Sequence, residues 1–129
     1  MGSAPCTACV SRLTKEVGMK MVWIDKDFSK KHYSAHVEKK FYPLLEAGIT
    51  EGPVIAMALE GVHAVELVRK IVGTTEPKNA PPGTIRGDFA HVSFAYCDSK
   101  KQAVKNLIHA SGNKGDADHE IKIWFPKEE

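Results

Sequence analysis

The sequence predicts an α/β sandwich with a mixed sheet, built as one domain over residues 1–129, and three observations carry that reading. Short apolar runs bounded by turn residues read as strands, the clearest being Val54 to Leu59 behind Ile49-Thr50-Glu51-Gly52-Pro53. Between such runs, apolar residues recur at helical spacing, as in His63 to Val72 with Ala64, Val65, Leu67, Val68, Ile71 and Val72. The length of 129 residues suits a single core, and no repeat or low-complexity linker divides it. Alternating strands and helices bury their apolar faces best as helices layered on a sheet.

Taken in order, Val10, Leu13 and Val17 predict a short helix from Thr7 to Val17, stopped by Gly18. Met19 to Ile24 reads as a strand. Asp25 to Lys40 reads as a helix with Asp25 or Asp27 at its N-terminus, where a carboxylate meets free backbone N–H groups. A second short helix covers Phe41 to Ala47 and ends at Gly48. The helix over His63 to Val72 carries a Glu66 to Lys70 pair and stops at Gly73. Thr74 to Arg86 is too rich in proline for regular structure and reads as a surface loop. Val92, Phe94 and Tyr96 alternate, which predicts a strand over Ala90 to Cys97, followed by a helical turn from Ser99 to Lys105. A brief strand then ends at His109, and Asp116 to Phe125 closes the chain as a helix with Ile121, Trp124 and Phe125 on its apolar face.

Composition narrows the class of partner. A formal net charge of +2 leaves no basic footprint for a polyanion, so nucleic acid is not implied. No apolar run approaches the roughly 20 residues of a membrane span, and no leader pattern opens the chain, so a cytoplasmic location is expected. Three cysteines, Cys6, Cys9 and Cys97, form no even framework and are read as reduced thiols.

The chemistry gathers at Asn106-Leu107-Ile108-His109-Ala110-Ser111. Histidine titrates near neutrality and can accept an electrophile on one ring nitrogen while a carboxylate on the other fixes the tautomer. Glu120, on the closing helix, is the candidate carboxylate. Arg69, Thr75 and Arg86 add planar forks and a hydroxyl suited to phosphate oxygens. Loss of either arginine is expected to slow the chemistry and hardly to change stability. No G-x-x-x-x-G-K-[ST] segment occurs, which excludes a P-loop.

The run Pro82-Gly83-Thr84-Ile85-Arg86-Gly87-Asp88-Phe89, then Asn106-Leu107-Ile108-His109, then Glu120 and Trp124-Phe125, resembles the nucleoside diphosphate kinase family. His32-Tyr33-Ser34-Ala35-His36 and the segment from Gly52 to Pro77 extend the likeness, which spans Ile24 to Phe125. The resemblance implies a ferredoxin-like, four-stranded antiparallel sheet with helices packed on it. It also implies a ping-pong reaction: a nucleoside triphosphate gives its γ-phosphate to His109, and a nucleoside diphosphate takes it away. On the matching positions, Glu120 and Ser111 support the imidazole, and Arg69, Thr75, Arg86 and His36 contact phosphates. Asn106 meets the ribose, Phe41 stacks on the base and Tyr33 orients groups near the phosphates. Mg²⁺ would arrive on the nucleotide phosphates rather than on protein ligands, and a homo-oligomer is expected.

Two departures stand beside these matches. The chain opens Met-Gly-Ser-Ala-Pro-Cys-Thr-Ala-Cys where the family has a strand ending in Lys-Pro-Asp, and Ala90 to Lys105 reads as an insertion ahead of His109. The missing lysine motivates an alternative reading as a catalytically impaired relative that binds nucleotides or joins oligomers.

Overall fold

The computed structural model describes residues 14–127. The expected helix over Thr7 to Val17 lies partly outside them, as do Cys6, Cys9 and the departure at the N-terminus. Where that helix can be followed it is corrected, because Lys15–Trp23 is a strand, β1. Gly18, expected as a helix stop, lies inside this strand at a register shift between Glu16 and Gly18. β1 pairs antiparallel with β2, Pro53–Glu60, and Met21 faces Ile55 while Val22 faces Val54. These two strands make up the sheet among the described residues, so it is antiparallel rather than mixed.

Asp25 caps helix α1, Lys26–His32, and its carboxylate accepts from Phe28 N–H at 2.7 Å. The helix ends sooner than its charge pattern implied and passes into a 3₁₀ turn over Ser34–His36. Helix α2, Tyr42–Ile49, packs on α1, where Tyr42 Oη lies 3.1 Å from the fully buried Ser29 Oγ. Helix α3, Ala64–Val72, stops at Gly73, whose φ of +90° is open to glycine and strained for other residues.

The following segment is not all loop. It holds a 3₁₀ turn at Pro77–Asn79 and helix α4, Ile85–Phe89, capped by the Thr84 hydroxyl through Gly87 N–H at 3.1 Å. A Cβ at Gly87 would stand 2.0 Å from the Pro81 carbonyl oxygen, so the turn admits only glycine there. The strand expected over Ala90 to Cys97 is corrected to a helix, α5, Phe94–Ser99, because Ser93 accepts from Tyr96 N–H and starts a helical turn inside the alternating pattern. The brief strand before His109 is also corrected. Asn106 to Ile108 forms a tight turn closed by Ile108 N–H to the Asn106 carbonyl at 2.9 Å, with Leu107 at φ +72°. Helix α6, Lys114–Trp124, is capped by Asn113 and packs on α1. Its exit residue Phe125 lies against Gly18, where a Cβ would come within 3.1 Å of the ring, so the end of α6 is seated on the sheet.

Candidate active site

Three segments converge on His109: the end of α1 with the residue after it, the turn at residues 106–110, and the middle of α6. The turn is strained, since a leucine in the left-handed region costs about 1–2 kcal/mol. Arg86 offsets that strain. Its guanidinium is 5% exposed and donates to the carbonyl oxygens of Asn106 at 3.3 Å, Gly73 at 3.3 Å and Ile108. Burial, then the neighbouring Arg69, lowers its pKa from the ordinary arginine value. Arg69 anchors the same turn one step later, donating to the Ala110 carbonyl at 3.2 Å. Asn106 ties it to the preceding loop through Nδ2 to the Thr75 carbonyl at 3.3 Å. The expectation that these arginines hardly matter for stability is corrected for Arg86, which is buried and braces the backbone that carries His109.

His109 Nε2 lies 2.9 Å from Glu120 Oε1, and Ser111 Oγ donates to Glu120 Oε2. Burial alone would raise the Glu120 pKa. The hydrogen bonds from His109 and Ser111, with the charges of His109 and His32, outweigh it and hold the carboxyl below its usual value. Glu120 is thus a carboxylate with one oxygen committed to each partner, and Nδ1 of the half-exposed His109 is left for an electrophile. Tyr33 stands edge-on to His109, with ring centroids 6.1 Å apart, and burial pushes its phenol up to about 12, so it remains a neutral donor. His36 lies farther out, with Nδ1 2.8 Å from Lys39 Nζ and its ring 5.8 Å from that of Phe41. Phe41 is 49% exposed, an open aromatic face at the rim.

Two residues at the centre escaped the sequence reading. His32 packs edge-on to His109 with centroids 5.0 Å apart, and Trp124 donates from Nε1 to His32 Nδ1 at 3.1 Å. Trp124 had been assigned only to the apolar face of its helix. The adjacency of His32 to Tyr33 was the one available signal. Among the described residues, His32, His109 and Glu120 form the one cluster whose donor atoms lie within 4.8 Å of one another as a metal site would need. It suits magnesium poorly, since Mg²⁺ takes oxygen ligands, and the indole N–H already occupies one nitrogen of His32.

A family model described as nucleoside diphosphate kinase matches residues 8–129. The chain belongs to the nucleoside diphosphate kinase family. It is similar to the nucleoside diphosphate kinase of Pyrococcus horikoshii, 50% identical over 125 residues that cover 93% of this chain and 74% of that one. The Pyrococcus abyssi enzyme is 51% identical over 116 residues, covering 89% and 68%. Among solved structures, a Borrelia burgdorferi nucleoside diphosphate kinase, a transition-state mimic with bound vanadate and ADP, superposes with a TM-score of 0.87. It is 42% identical and covers 95% of this chain and 76% of that one. A halophilic nucleoside diphosphate kinase from Halobacterium salinarum in complex with CDP gives a TM-score of 0.80 at 36% identity, covering 98% and 80%. The chain shares with them an α+β fold with an antiparallel sheet. Among the described residues no helix is long and apolar enough to cross a membrane.

Proposed function

We propose that His109 carries the phosphoryl group in the kinase reaction, through Nδ1. The observation behind this is the 2.9 Å contact of Nε2 with Glu120, which leaves Nδ1 as the accepting nitrogen. In the first half-reaction the Nδ1 lone pair forms a bond to the γ-phosphorus, the bond from that phosphorus to the bridging oxygen breaks, and the nucleoside diphosphate leaves. In the second, a terminal oxygen of another nucleoside diphosphate attacks the same phosphorus and the P–N bond breaks. Glu120 stabilises the imidazolium character that develops at Nε2, and Ser111 holds the carboxylate.

Arg69 and Thr75 contact the phosphates, and Arg86 supports them from beneath while holding the turn. His36 and Tyr33 complete the polar wall, Asn106 meets the ribose and Phe41 stacks on the base. Mg²⁺ would arrive with the nucleotide as part of the substrate, where it would offset phosphate charge. Residues 1–129 belong to one domain, which associates as a homo-oligomer.

Labelling tests the assignment: the purified chain is mixed with Mg·ATP labelled at the γ-position, and acid-labile, base-stable label is counted. His109→Ala should abolish it, and discharge from the parent to a second diphosphate should be complete. Label persisting in His109→Ala would move the nucleophile elsewhere.

A further inference from the structure

We propose that His32 is a positioning residue for His109: the indole N–H of Trp124 locks the tautomer of His32, and the ring so held leaves Glu120 committed to His109. The proposal rests on the assignment of His109 as phosphoryl acceptor.

An indole N–H is only a donor, and it points at His32 Nδ1 from 3.1 Å. Nδ1 must then present its lone pair, and the single proton of a neutral His32 sits on Nε2. A doubly protonated His32 would oppose one N–H to another, so protonation breaks the contact with Trp124. The surroundings act in the same direction. His32 is 9% exposed and is walled by the edges of Tyr33, His109 and Trp124, with centroids 4.5, 5.0 and 5.5 Å away. Burial, then the imidazole of His109, lower its pKa to about 4; Glu120 on α6 pulls upward and His119 on the same helix pulls downward.

Neutrality of His32 matters because one carboxylate serves this corner. Donor atoms of His32, His109 and Glu120 all lie within 4.8 Å of one another, and Glu120 already has one oxygen on Ser111. The positive charge of a doubly protonated His32 would draw the carboxylate toward itself more strongly than the neutral ring does, and the bond that fixes the tautomer of His109 would weaken. Trp124 and His32 therefore protect the His109 to Glu120 bond.

The test is the pH dependence of single-turnover labelling by γ-labelled Mg·ATP, with the full chain and its variants. In the parent, log rate should fall with a slope of about 1 on the acid side, as for a site disabled by a single proton. Trp124→Phe removes the donor but keeps a ring against Phe28, its neighbour at 4.7 Å. Its acid limb should steepen toward a slope of about 2, because a second proton on His32 now also disables the site. Adding His32→Asn, whose amide oxygen takes the place of Nδ1 and which cannot titrate, should return the slope to about 1. His32→Asn alone should label within about threefold of the parent, whereas His32→Leu should lose at least about tenfold, as outer partners of a reacting imidazole commonly do.

A Trp124→Phe profile parallel to the parent's would overturn the proposal, as would equal rates for His32→Asn and His32→Leu. Nitrogen NMR of the parent guards against a variant that fails to fold: an Nδ1-protonated His32 would sink the lock outright. His109→Ala in the same series separates the two readings, since persisting label there refutes the nucleophile and leaves the tautomer of His32 as measured.

Discussion

Arg86 donates a hydrogen bond to the carbonyl oxygen of Ile108, the residue immediately before His109, from a guanidinium that is almost wholly buried. Phosphate chemistry and backbone support therefore meet in one side chain. A planar fork can satisfy the carbonyls of Gly73, Asn106 and Ile108 together, which a lysine ammonium on a flexible stem cannot reproduce.

Arg86→Ala is expected to lower stability by about 3 kcal/mol or more, because buried carbonyls lose charged donors and the strained Leu107 turn loses its brace. Turnover should fall by at least about 100-fold. Arg86→Lys should recover little of either. Thermal melts and steady-state rates on the same preparations check this, and a melting temperature equal to the parent's would show the brace to be dispensable.

Glu120→Gln keeps a hydrogen-bonding group beside Nε2 but removes the charge that stabilises imidazolium. Labelling should slow by about 100-fold, a loss typical of a preorganised electrostatic partner. Ser111→Ala should cost less, about tenfold, since it only orients that carboxylate. Equal effects of the two would mean that position rather than charge is what Glu120 supplies.

Stability should fall in mild acid through His32. Its folded pKa of about 4 lies below the ordinary 6.5, so between those values the unfolded chain binds the extra proton. Its contribution is complete above pH 6.5 and is lost as pH falls toward 4. The depression corresponds to about 3 kcal/mol. Denaturant unfolding across that range should show the loss, and His32→Asn should flatten it. Glu120 adds a second, lower loss, because a carboxyl held below its usual value gives up its contribution only as pH drops beneath that range.

ATP and GTP should be used within about tenfold of each other, because an aromatic face stacks on either base without reading its edge. Phe41 is half-exposed, and a base stacking on it would displace Lys39, whose Nζ lies 5.7 Å from the ring centroid. Phe41→Ala should raise KM for both nucleotides alike. A thousandfold preference in the parent would reveal a group that hydrogen-bonds the base.

From the sequence alone came the family, the α+β class and Glu120 as the partner of His109, because these rest on residue types and motifs at telling separations; Ser111 was implied by the family likeness and bonds to Glu120. Asp25 as a cap, the strand around Val54 to Leu59 and the helix ending at Gly73 were legible for the same reason: each is settled by neighbours within a turn or two. The tertiary structure decided what depends on contacts distant in the chain. Alternation over Ala90 to Cys97 reads as a strand, yet a hydroxyl cap at Ser93 starts a helix at Phe94, with no sheet partner beside it among the described residues. The turn at Leu107 exists because Arg86, some twenty residues earlier, pins the carbonyls on either side of it. Trp124 reaches His32 across 92 residues, and no local pattern of apolar and polar positions records such a bond. Periodicity reports which face of an element is buried; which polar atom meets which is settled only when the elements pack.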